Sequence, residues 1–128
     1  MHKRLFNFIN NNKILFTNQF GFGPKHSTIL TTILIIDKAQ NAIETSKFSC
    51  GIFLDLSKAF DSVSHKIFLS KLEFYGIRGT TYNWFKSYLF NRRQYVSLGS
   101  THSDEHIVAG GVPQGSVLGP LLFLIYIE

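Results

Sequence analysis

Cysteine is almost missing from this chain of 128 residues. Cys50 stands alone, which excludes an internal disulfide and any cysteine-built zinc site. In an apolar stretch it is expected to pack as a small hydrophobe. The five histidines show no paired metal-ligand spacing; His102 and His106 fall in a polar, turn-like stretch and read as solvated. No apolar run is long enough to span a bilayer: the longest, Val117 to Ile127, is broken by Gly119-Pro120. The basic amino terminus is not followed by a continuous apolar core, so a signal peptide is not expected. An intracellular chain, nuclear or cytoplasmic, not secreted and without membrane contact, is the expectation. Low-complexity tracts, linkers and internal repeats are missing as well.

What is present is an aromatic, basic chain. Hydrophobic residues make up 45% of it, with 13 Phe and 5 Tyr, which excludes a disordered polypeptide and points to an aromatic core. One domain of this size buries roughly two thirds of its unfolded surface. The net charge of +5 and a pI near 9.5 favour an anionic partner, nucleic acid first. The cations are scattered and form no basic arm.

Patterning gives the order helix, helix, strand, helix, helix, hairpin, helix, an α/β or α+β class. His2 to Asn10 reads as an amphipathic helix with Leu5, Phe8 and Ile9 inward. A Gly/Pro loop from Gln19 to Lys25 leads to a helix capped by Ser27 or Thr28 and reaching Glu44 or Thr45. Its β-branched segment Leu30 to Ile36 leaves a strand open there. Cys50 to Leu56 reads as a strand covered on both faces. Ser64 caps a helix through Tyr75 that Gly76 stops. Another helix runs from Thr80 or Thr81 to about Phe90. Gln94–Leu98 and His106–Ala109 pair as a hairpin across the polar turn 99–105. The last helix begins between Ser116 and Pro120, with proline tolerated in its first turn.

Two blocks carry the chemistry. Phe53 to His65 places an acid, Asp55, at the end of an apolar run, then an aromatic, Phe60, then a second acid, Asp61. A carboxylate in such a run is costly to bury unless a cation or donors meet it. A divalent metal at a strand end would meet it. So would a nearby turn, and Asp55 taken alone favours the turn. Asp61 reads as structural, ordering the following turn through local bonds to backbone. The second block is Gly110-Gly111-Val112-Pro113-Gln114-Gly115-Ser116-Val117-Leu118-Gly119-Pro120. Glycine admits close backbone approach and Gln114 offers both donor and acceptor; a plain Pro-Gln-Gly turn is the alternative.

Together these blocks resemble motifs A and B of the reverse transcriptase domain of non-LTR, jockey- or LINE-like retrotransposons. Gln19-Phe20-Gly21-Phe22 and His26-Ser27-Thr28 resemble the family's upstream fingers motif. Tyr75-Gly76-Ile77, Trp84, Tyr88-Leu89 and Arg92-Arg93-Gln94 also follow its pattern. The resemblance covers nearly the whole chain. It implies the fingers and partial palm of a right-hand polymerase with an incomplete sheet: about 1–49 fingers-like, about 50–128 palm-like, with a hairpin at about 94–109 returning to the fingers. It implies an RNA-directed DNA polymerase, a nucleotidyltransferase acting on an RNA template, a DNA primer and dNTPs with Mg²⁺, or Mn²⁺ in its place. Asp55 would be the catalytic metal-binding acid, aligning primer and α-phosphate through two ions, and the Leu56 carbonyl would add a metal contact. Phe60 would be the gate against ribonucleotides, with a core aromatic as the alternative. Gln114 and Gly115 would meet nucleotide and template. Lys25, just before a helix start where phosphate is favoured, would be a substitute for the Arg that the family usually has where Gly23 stands. The family's aromatic-Ala-Asp-Asp hairpin is not in this sequence, nor are thumb, endonuclease and RNase H regions. The chain therefore reads as truncated after Glu128 and inactive or nearly so alone; the alternative is a non-catalytic nucleic-acid-binding remnant.

Overall fold

The computed structural model describes residues 1–23 and 27–128. They form two compact units, 1–15 with 58–128, and 16–57. The mixture of helices with small antiparallel sheets agrees with the expected α/β or α+β class.

The larger unit begins with α1 (His2–Asn11), which buries Leu5 and Ile9 and half-buries Phe8. Helix α3 (His65–Phe74) starts where the Ser64 hydroxyl accepts from the Ile67 N–H at 3.5 Å, and it ends as Gly76 turns left-handed at φ 86°. His65, Phe68, Leu69 and Leu72 make its buried stripe, spaced as one helical face requires. Ile67 and Phe74, also apolar, lie off that stripe and are exposed. Helix α4 (Gly79–Leu89) buries Phe85 and Leu89. Helix α5 (Gly119–Ile127), with Pro120 in its first turn, buries residues all round from Leu121 to Ile125. One core joins these helices, and Phe68 meets Phe85 edge to face with ring centroids 6.3 Å apart.

The expected hairpin forms, with a tighter tip than its composition suggests. Strands β1 (Arg93–Gln94) and β4 (His106–Ile107) pair with Arg93 opposite Ile107. Inside them β2 (Ser97–Leu98) pairs with β3 (Thr101–His102), leaving Gly99-Ser100 as the turn. Thr101 and His102, expected in the polar turn, are therefore strand residues. Gly99, at φ 62°, supplies the left-handed conformation that a two-residue hairpin turn demands.

The smaller unit contains α2 (Thr28–Glu44), in which the Ser27 hydroxyl accepts from Leu30 N–H at 3.2 Å. The helical reading of Leu30 to Ile36 is the correct one. None of its residues is buried, and Ile29, Ile33, Ile36 and Ile43 are all exposed.

The strand expected at Cys50 to Leu56 does not form. That segment is irregular, and no ladder among the described residues includes it. A β-strand is completed by a neighbour's N–H and C=O groups, and without that pairing an apolar run has no reason to stay pleated. Cys50 is correspondingly exposed rather than packed.

Candidate functional site

The second signature block docks onto the end of the first. Gly111 N–H donates to Val63 O at 2.8 Å, and Val112 N–H donates to Phe60 O at 2.9 Å. The contact requires glycine. A Cβ at Gly111 would lie 2.9 Å from Asp61 Cα and 3.1 Å from Phe60 O, and its φ of 79° is left-handed. From the far side His65, buried at the start of α3, places Nε2 2.7 Å from Gly111 O. Three hydrogen bonds thus hold two chain segments that are far apart in sequence.

Above this clip the Gln114 Nε2 donates to Asp61 Oδ1 at 3.2 Å. The local role expected for the Asp61 side chain falls instead to Ser62, whose hydroxyl donates to Ala59 O at 2.8 Å. The turn's backbone closes through Asp61 and Ser62 N–H groups on Lys58 O. Beyond Gln114, Gly115 turns left-handed at φ 72° with open space around it. Ser116 then accepts from Gly119 N–H and donates to Pro113 O, ordering the entry to α5.

Asp61, Gln114 and Pro113 line a cleft of about 680 Å³ with Gly110, Val112, Arg92, Gln94 and residues 107–109. Arg92 is half-buried there. Its neighbour Arg93 reaches out to Glu105 at 3.0 Å, in an ion pair that is exposed and so adds little stability. The cleft offers a guanidinium, a carboxylate, two amides and backbone groups, a set that can both donate and accept hydrogen bonds.

The other expected site residues are distributed as follows. Phe60 is half-buried, with its ring tilted against Phe123 at 5.1 Å between centroids. Asp55 and Leu56 belong to the smaller unit, exposed in the irregular segment. Lys25 lies outside the described residues. Among the described residues no three His, Cys, Asp or Glu side chains come together as a metal centre. Asp55 contributes one carboxylate, whereas a hard divalent ion takes six or more oxygens. The described donor set does not complete a metal site. Away from the cleft, Tyr75 is held above its usual 10.0, first by desolvation and then by the Glu128 carboxylate.

In the sequence His65 closes the first block and Arg92 follows the family pattern, but neither is marked there as a contact of the site. A signal existed for His65, which occupies the first position of the stripe completed by Phe68, Leu69 and Leu72. The tandem glycines 110–111 announced a close approach without saying to what.

Comparison with known proteins bears on the whole chain. The family model described as reverse transcriptase (RNA-dependent DNA polymerase) matches residues 1–128. The chain is 38% identical over 109 residues to the probable RNA-directed DNA polymerase from transposon X-element of Drosophila melanogaster, covering 85% of this chain and 12% of that protein. It is 33% identical over 129 residues to the probable RNA-directed DNA polymerase from transposon BS of the same fly, covering 96% of this chain and 14% of the relative. With the RNA-directed DNA polymerase from its mobile element jockey it shares 37% over 108 residues, 84% of this chain and 12% of that protein. The chain therefore spans only 12–14% of the length of these curated relatives. No solved structure gives a significant match.

Proposed function

The chain belongs to the reverse transcriptase family, and on that premise we propose that it supplies part of the fingers and palm of an RNA-directed DNA polymerase of the non-LTR retrotransposon kind. The carrying observation is the clip: Phe60 to Val63 is joined to Gly110 to Gln114 by bonds that only glycine at position 111 permits, and Asp61 and Gln114 line one cleft beside it. Reverse transcriptases work on a nucleic-acid template with nucleotide substrates and generally require a divalent metal. In this reading the template is RNA, the primer DNA, the substrates dNTPs and the ion Mg²⁺.

Gln114 and Gly115 meet nucleotide and template at the cleft, and Lys25 reaches phosphate. Phe60 serves as the gate; the brace of Phe123 behind its ring supports that role, because a gate must be rigid to exclude by size. Asp55 supplies one metal-binding carboxylate and the Leu56 carbonyl a further contact. Two-metal chemistry requires several carboxylates, and among the described residues no three His, Cys, Asp or Glu side chains come together, so this segment is expected to be inactive alone.

The test grafts this segment in place of its counterpart in the X-element polymerase and follows Mg²⁺-dependent dNTP incorporation on a primed RNA. Incorporation that Asp55→Ala reduces at least a hundredfold supports the reading, on the scale of losing one electrostatic partner of the transition state (about 10²–10³). Incorporation indifferent to Asp55→Ala overturns it. A non-catalytic RNA-binding role is the second reading, favoured by the net charge of +5. It requires that the isolated chain bind RNA at low salt and release it as salt rises.

A further inference from the structure

The amide of Gln114 has two unlike ends, a donor and an acceptor, and either could face the cleft. Asp61 removes that freedom. Its carboxylate oxygens accept, so Nε2 faces it in the exposed 3.2 Å contact and Oε1 is turned away. The Asp61 side chain is not needed to hold the turn. The Ser62 hydroxyl and the backbone bonds to Lys58 O do that, while Gly111, Val112 and His65 hold the loop beneath. Gln114 is the hydrogen-bond partner of that carboxylate among the described residues. Both side chains line the same cleft as Arg92.

We propose that Asp61 is a positioning residue: it locks the Gln114 amide so that the cleft presents an acceptor to a hydroxyl or amino group of the bound nucleotide. The inference rests on the reading of Gln114 as a nucleotide contact. A nucleotide offers such donors on its sugar and base, while its phosphates only accept, so the lock also assigns the phosphate end to cations such as Arg92 rather than to Gln114. Without Asp61 the amide samples both orientations, and part of its population meets the ligand donor with its own N–H.

The experiment uses the ¹⁵N-labelled chain with dATP as probe, the Gln114 side-chain amide being assigned by its disappearance in Gln114→Leu. In the unaltered chain that amide should exchange more slowly than a free glutamine amide and resonate away from its position. Asp61→Ala should abolish both signatures. Asp61→Asn, whose amide can donate as well as accept, should keep part of the protection without fixing one orientation of Gln114. On the same spectra dATP should bind about tenfold more weakly to Asp61→Ala, on the scale of one hydrogen bond, and Asp61→Asn should recover only part of that loss, with melting midpoints unchanged. A Gln114 amide unaffected by Asp61→Ala overturns the lock, as does equal dATP affinity. An intact amide signature in a chain that binds no dATP overturns the nucleotide reading and the inference with it. A lost signature with dATP binding intact removes the lock alone, so the two failures are told apart.

Discussion

One signature block is split between two physical situations. Lys58 to His65 is cross-bonded to the 110–114 loop, with Val63 and His65 buried and Gly111 wedged against Asp61. Cys50 to Leu56 has the more hydrophobic sequence, yet Ile52, Phe53 and Leu54 are 83%, 82% and 90% exposed. Hydrophobicity alone therefore does not decide burial. The packed half is fixed by directional contacts that close within its own unit, whereas an apolar strand gains order only when a neighbouring strand accepts its ladder.

The sharpest way to break this contrast is to delete the same side chain from both regions. Phe68→Ala should lower stability by about 4 kcal/mol, because the ring is wholly buried against Phe85; Phe53→Ala should change it by less than about 0.5 kcal/mol. Equal shifts in the guanidinium midpoint would show that the 50–56 segment is packed after all. Next in size is Gly111→Ala, at about 3 kcal/mol from the left-handed backbone and the collision with Asp61 together. A midpoint unchanged by that substitution would mean that the clip can open without cost. His65→Leu should cost about 2 kcal/mol, since it leaves the carbonyl of Gly111 without its buried donor. Hydrogen exchange should then show the Gly111 and Val112 amides opening before those of α3. The smallest effect, about 1 kcal/mol, is expected for Ser64→Ala, which removes the cap of α3; a cooperative melt followed by helical dichroism measures it.

The parts of the fold that were legible in the sequence are those whose causes are local. Ser27 and Ser64 start helices with their own hydroxyls, Gly76 ends one because it turns left-handed without penalty, and Pro120 fits a first turn. Hairpin pairing was legible too, although the tip at Gly99-Ser100 was hidden by the polar residues around it. What was not legible depends on distant partners. Asp61 meets a residue 53 positions away, so its neighbours in sequence could not reveal that its bond would reach Gln114 rather than the adjoining turn. The supposed strand failed for the complementary reason: its composition was right, but composition does not supply a partner. For the candidate site, the pattern identified Gln114 and Phe60 as residues of interest, while the arrangement that joins their segments, through Gly111 and His65, could be seen only in three dimensions.

The glycine at position 111 also has a meaning in the language of inheritance. Every single-base change that alters a glycine codon's residue installs a side chain or ends the chain, and here every side chain meets both a forbidden backbone angle and the turn at Asp61. The position has no conservative neighbour in the genetic code.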